Sequence, residues 1–304
     1  LDETPYRTTF LAEEKTASRL GGKQSMKKQF GTLAGLCLMV ACSGFTGAGL
    51  ANAQDAKLNL TPPNILVVQR EMVKPGLTGA AHQKSESAFV QAMQKAKSPD
   101  HYFAATSMSG PSRALFFIPF DSFADWEKSD AAMMGDSTLA TDFDSAMEAD
   151  GKLLDSFSTM VFRYEPDLSI SPNVDLAEMR YMEITVINIK PGHDAEWKEL
   201  AKLHNEVYGQ VPNTHFAMWE EYFGDEGGAY IATSPLKSLA ELDEHHVAAE
   251  KAWAAADSDK KKKMGDLEAS AFVSVHTNLY SMDPKMSYAP DRWKTASPDF
   301  WGKP

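Results

Sequence analysis

Cysteine is nearly absent: the chain has two in 304 residues, Cys37 and Cys42, both close to its beginning. Everything after Cys42 is therefore without disulfides, thiolate nucleophiles or cysteine metal ligands. Positive charge is also scarce, with 30 Lys and Arg against 42 Asp and Glu and a formal net charge of −12. A surface this acidic repels phosphate, which disfavours nucleic acid and anionic lipid as partners. No apolar run approaches the roughly 20 residues that cross a bilayer, so no transmembrane segment is expected. His-x-x-x-His and Glu-x-x-His spacings on a helix are missing too, and no metal site is expected.

What the chain does contain near its start is a secretory pattern. Met26-Lys27-Lys28 is a basic opening, Leu33 to Val40 an apolar run and Ala51-Asn52-Ala53 a small-x-small cleavage site. The expectation is a signal peptide over 26–53, a mature start at Gln54, and a periplasmic or secreted protein. Residues 1–25 are polar and aperiodic, and read as an extension outside the fold. A lipoprotein ending at Cys42 is the weaker alternative, because Met39 stands where such signals usually carry leucine.

The rest is organised by a repeat. Val73-Lys74-Pro75-Gly76 returns as Ile189-Lys190-Pro191-Gly192, 116 positions later (190 − 74). At the same offset Thr78 falls on Asp194, each a helix-capping side chain. Ser122-Phe123-Ala124-Asp125 falls on Ser238-Leu239-Ala240-Glu241, both capping boxes in form. Tyr164 and Asp167 fall on Tyr280 and Asp283, so the offset reads as gapless. Within the first copy the pattern is strand (Ile65 to Val73), helix through Phe89 and Met93, a hairpin (Tyr102 to Met108 and Ala114 to Phe120), a helix from Phe123, a polar Asp-rich stretch, and strand Phe157 to Tyr164. The second copy repeats this from Tyr181 to Tyr280, with Lys260 to Lys263 read as a solvated loop.

Each copy is thus a βαββαβ, ferredoxin-like unit. The predicted fold class is α+β: two tandem repeats, 54–175 and 176–283, packed sheet-to-sheet as an intramolecular α+β barrel. Such a chain closes its barrel in cis, as a monomer or a weak homo-oligomer. The tail 284–304, with Tyr288, Trp293, Phe300 and Trp301, is expected to lie over the barrel as a strap.

On the element order, the Lys-Pro-Gly turn after the first strand and the Phe-Ala-Asp-Trp start of the second helix, the chain from Pro63 to about Asp283 resembles the dimeric α+β barrel superfamily in its fused two-repeat form. It is more loosely similar to NIPSNAP-type and antibiotic-monooxygenase-type domains. The resemblance implies a ligand between the sheets, on the face away from the helices. Strand alternation then assigns Met182, Ile184 and Val186 to the helices and turns Glu183, Thr185, Trp219, Glu221, His276 and Asn278 inward. The first copy contributes Gln69, Glu71, Phe103, Met160 and Phe162, a more apolar set, which biases the expected pocket to the second copy.

Three functional classes fit these residues. One is an exported protein binding a small apolar or aromatic molecule through Trp219, Asn278, Thr185, Gln69 and Phe103. The second is a cofactor-independent oxygenase or isomerase of the kind the resemblance implies, with His276 as acid/base beside Glu183. The third, also implied by the resemblance, is a haem protein with His276 or His215 as axial ligand. The residues do not decide whether the protein is an enzyme. His204, on a core-facing helix stripe, reads as structural. His245 and His246 are adjacent and face apart.

Overall fold

The computed structural model describes residues 61–224 and 229–302. The leader, both cysteines, Gln54 and most of the Gly224 to Gly228 loop lie outside the described residues. Among the described residues no helix is long and apolar enough to cross a membrane.

The first repeat runs β1 (Ile65–Val73), α1 (Ala80–Ala96), β2 (Tyr102–Ser107), β3 (Arg113–Phe120), α2 (Phe123–Gly135), α3 (Ser137–Asp150) and β4 (Leu154–Tyr164). The second runs β5 (Tyr181–Ile189), α4 (Asp194–Tyr208), β6 (Ala217–Phe223), β7 (Ala229–Leu236), α5 (Ala240–Ala255), α6 (Ser258–Ala271) and β8 (Phe272–Tyr288). Two short helices follow, α7 (Asp291–Ala296) and α8 (Pro298–Trp301). Each repeat therefore carries one helix more than its sequence suggested. The Asp-rich stretch is α3, opened by Asp136, whose side chain accepts from Thr138 N and Leu139 N at 3.0 Å each. Lys260 to Lys263 belong to α6 and pair with α4, Lys260 to Glu206 at 2.7 Å and Lys263 to Glu199. Of the expected caps, Ser122 Oγ accepts from Asp125 N at 3.1 Å. Thr78 and Asp194 do not cap: α1 and α4 start behind Gly79 and His193, with no side-chain cap bond.

All eight strands pair antiparallel in one closed barrel, in the order β1-β3-β2-β8-β5-β7-β6-β4, with β4 returning to β1. The two sheets are joined along their edges, β2 to β8 and β4 to β6. Among the described residues no strand of the barrel has an unpaired edge.

The repeated Lys-Pro-Gly is a structural staple. Gly76 and Gly192 take φ of 83° and 85°, which an L side chain adopts only under strain. The lysine preceding each turn reaches carbonyls where the last helix ends, Lys74 Nζ to Lys152 O at 2.8 Å and Lys190 Nζ to Ser270 O at 2.9 Å. A cation is favoured there by the helix dipole.

The offset of 116 relates β1 to β5 and β3 to β7 but is not gapless. The loop before α4 has four residues against six before α1, and the buried positions of α1 match those of α4 at 115: His82 with Trp197, Glu86 with Ala201 and Met93 with Tyr208. In the last strands Arg163 pairs with Ile65 and Ser281 with Tyr181, an offset of 118 (281 − 163).

One hydrophobic cluster fills the barrel, with Leu66, Phe103, Phe117, Phe162, Met182 and Trp219 among its members. Separate clusters lie between sheet and helices, around Val90, Met93 and Phe116 in the first repeat and around Trp197, Leu200 and Tyr230 in the second. The tail is ordered onto the barrel. Trp293 is fully buried against Phe103 at a ring distance of 6.0 Å, and Trp301 Nε1 donates to Ala177 O at 2.9 Å.

Candidate functional site

Because the barrel interior is itself apolar, it takes the apolar residues of β1 and β5, and the alternation expected for those strands is reversed. Leu66, Val68, Met182 and Ile184 point inward. Gln69 and Glu71, pairing with Phe116 and Ala114, share the outer face of the first sheet. Glu183 and Thr185 pair with Leu279 and Thr277, while His276 pairs with Val186. Glu183 and His276 therefore point to opposite faces of the sheet, and the expected imidazole–carboxylate pair does not form. Glu183 faces the helix layer, where burial raises its carboxyl and nearby His246 partly offsets this. Thr185 Oγ1 bonds Thr277 Oγ1 at 2.8 Å. His276 is exposed, and Asn278 packs against the turn at Gly110.

Trp219 and Phe103 do point inward, as expected, and they meet at one end of the barrel. There a small cleft of about 70 Å³ is walled by Leu66, Phe103, Phe117, Met182, Ala217 and Trp219, and rimmed by Pro62, Pro119, Pro172 and Pro235. Both repeats supply its walls, so it is not biased to the second. Neither His276 nor Asn278 lines it. The polar groups at its wall are few. Trp219 Nε1 donates to Thr233 Oγ1 at 3.1 Å, so both are satisfied without a ligand. His215 Nε2 lies 2.6 Å from Pro235 O. A carbonyl can only accept, so Nε2 carries the proton and Nδ1 of the neutral ring is an acceptor.

A second constellation, which the sequence reading missed, lies outside the barrel between β1, α1 and α3. Glu71 points out from β1 onto α1, where His82 and Glu86 are one turn apart, and Asp150 closes the group from the end of α3. His82 Nε2 stands 2.8 Å from Glu71 Oε2, 3.9 Å from Glu86 Oε1 and 3.7 Å from Asp150 Oδ1. All four residues are at most 4% exposed. With both carboxyls ionised, Glu86 Oε1 and Asp150 Oδ1 have no hydrogen-bond partner, nor does the buried hydroxyl of Tyr102. Burial, then the charges of Glu71 and Asp150 and a hydrogen bond with Asp150, push the Glu86 carboxyl up to about 10. Burial also raises Glu71, against the hydrogen bond from His82. Tyr102 is raised by burial and then by Glu86 and Glu71, which places its hydroxyl in the same negative field. His82 also lines a polar cleft with Thr78, Gln83, Ser107, Arg113 and Asp283, where Gln83 Nε2 donates to Asp283 Oδ2 at 2.6 Å.

One signal in the sequence could have found this group. Six residues of α1 are buried, and two of them, His82 and Glu86, are polar. A polar pair on a core-facing stripe needs a buried partner.

No family model matches the chain, and no curated protein matches it. Among solved structures it is similar to a candidate monooxygenase from Fusobacterium nucleatum subsp. nucleatum, at 13% identity over 73% of this chain and 94% of that one, with a TM-score of 0.49. It is also similar to an anthrone oxidase-like protein, at 16% identity over 74% and 93% of the two chains and a TM-score of 0.45. The chlorite dismutase of Candidatus Nitrospira defluvii in complex with imidazole is similar at 10% identity over 80% and 98% of the two chains, with a TM-score of 0.45.

Proposed function

We propose that the protein binds a small, mainly apolar and aromatic molecule in the barrel mouth, between Phe103, Phe117 and Trp219. The observation that carries this is the cleft itself: an apolar recess at the end of a closed barrel, with aromatic walls and a single imidazole, His215, as polar anchor. Ligand pockets are typically apolar recesses with a few placed polar groups. Aromatic walls supply contact area at little cost in side-chain entropy. His215 Nδ1 accepts a hydrogen bond from a phenol or amide N–H and so fixes orientation. Export to the periplasm or beyond remains part of this reading and rests on the leader pattern alone.

Native mass spectrometry of the unaltered full chain tests the proposal. The expected result is a small organic adduct released on denaturation and missing from Ala217→Met, which fills the cleft. An adduct carried equally by Ala217→Met would place the ligand elsewhere.

A second reading has one observation behind it. With Nε2 donating to a backbone carbonyl, His215 keeps Nδ1 as the acceptor that would hold a haem iron, its ring oriented by that hydrogen bond. Haem would add redox chemistry at the iron, with Phe103, Phe117 and Trp219 shaping the apolar surround. A Soret band on haem addition that is lost in His215→Ala supports this reading, and the absence of any band removes it.

A further inference from the structure

We propose that Glu71, His82, Glu86 and Asp150 form a binding site for one divalent transition-metal cation of the Mn²⁺, Fe²⁺ or Zn²⁺ class, buried between β1, α1 and α3. Each residue offers one ligand atom, and the four atoms all lie within 4.8 Å of one another. A cation with ligands at about 2.1 Å sets neighbouring ligand atoms about 3.0 Å apart in an octahedron and about 3.4 Å apart in a tetrahedron. The separations of 2.8, 3.7 and 3.9 Å from His82 Nε2 bracket those edges, so small rotamer adjustments close the shell.

Two further observations point to a ligand rather than to a self-contained polar knot. Glu86 Oε1 and Asp150 Oδ1 are buried and aimed into the group, and no donor reaches either unless one carboxyl keeps a proton and shares it with the other. Buried carboxylate oxygens seldom remain without a donor, because each unmet acceptor destabilises the fold. The protein also contains its own control. At the corresponding places of the second repeat stand Ile187, Trp197 and Ala201, all buried and part of an apolar cluster. The same architecture in the same chain is thus completed at these three places by ordinary core packing, and nothing in the fold requires Glu71, His82 and Glu86 to be polar in the first repeat. Replacing buried ionic groups by well-packed apolar ones is commonly neutral or stabilising, so their presence calls for a bound charge.

The donor set selects the class of ion. Three carboxylates suit a hard dication, but Ca²⁺ and Mg²⁺ favour shells made wholly of oxygen. The imidazole shifts preference to Mn²⁺, Fe²⁺ or Zn²⁺. A dication offsets most of the negative charge of three ionised acids. The polar cleft against His82, lined by Thr78, Gln83 and Asp283, supplies a route from solvent.

The test uses the untagged full chain, stripped with a chelator and titrated with Mn²⁺ or Zn²⁺ alone by calorimetry, with metal content and melting temperature measured alongside. The expected result is one equivalent bound per chain and a higher melting temperature. Glu86→Gln and Asp150→Asn, checked for folding by circular dichroism, should lose at least the roughly 10–100-fold in affinity that even outer-shell changes cause. A combined Glu71→Ile, His82→Trp, Glu86→Ala variant should fold and melt at a temperature indifferent to metal. No saturable binding of Mn²⁺, Fe²⁺ or Zn²⁺ by the unaltered chain overturns the proposal and leaves a cluster held by shared protons. Undiminished binding by Glu86→Gln overturns it as well. Should the variants misfold, anomalous scattering from crystals of the unaltered chain grown with Mn²⁺ decides the matter: an ion anywhere but among these four residues contradicts the assignment.

Discussion

Whether a side chain on β5 points in or out depends on what fills the barrel. Met182 is 3% exposed inside it, while its neighbour Glu183 faces the helix layer half-buried. Met182→Ala should therefore cost about 2–5 kcal/mol, as large-to-small core changes do. Glu183→Gln should shift stability by no more than about 0.5 kcal/mol, as substitutions away from the core do. Urea unfolding of the two variants measures the contrast, and equal effects would mean the strand is turned the other way. His204 is a second residue with a measurable consequence. Burial first, and then neighbouring His245, push its imidazole down to about 4, and its ring lies 4.4 Å from that of Tyr208. The unfolded chain binds this proton near pH 6.5. Between about 6.5 and 4 the unfolded state therefore holds more protons than the folded one, and stability falls as pH falls through that window. The contribution lost is about 1–3 kcal/mol, and His204→Leu should flatten that part of the stability curve. An unchanged slope would show that His204 charges without penalty.

At the scale of elements, strands were legible and helix boundaries less so. The bounds of β1 and β5 follow from runs of β-branched and apolar residues ended by Lys-Pro-Gly. α3 was hidden because five residues of the 136–150 stretch are acidic and most of the rest are small, yet Leu139, Phe143, Ala146 and Asp150 recur at helical spacing behind the Asp136 cap. Missing α3 also hid Asp150, the residue that completes the buried cluster. The reversal in β1 and β5 has a different cause: alternation shows that two faces differ, but only the tertiary structure tells which face is inside. Trp219 and Phe103 were legible because aromatic residues suit the barrel interior, whereas His276 and Glu183 could not be placed without the register. The tail is the element whose role is most directly testable. Trp293 is buried against Phe103 and 4.8 Å from the ring of Trp301. Trp293→Ala should destabilise the protein by about 3–5 kcal/mol, read as a lower urea midpoint. An effect under about 1 kcal/mol would mean that the tail merely rests on the barrel.

For the whole molecule, duplication closes a barrel within one chain and leaves the two copies free to diverge. At the places where the first repeat buries Glu71, His82 and Glu86, the second has Ile187, Trp197 and Ala201. The barrel mouth draws on both, which is why neither half alone would present the cleft. The central claim is that this mouth takes a small apolar molecule. Titration of the full chain with the fluorescent probe 1-anilinonaphthalene-8-sulfonate tests it most directly. The account expects saturable binding of one probe per chain, abolished in Ala217→Met while circular dichroism and melting temperature hold. Equal binding by Ala217→Met, or no saturable binding by the unaltered chain, would contradict it.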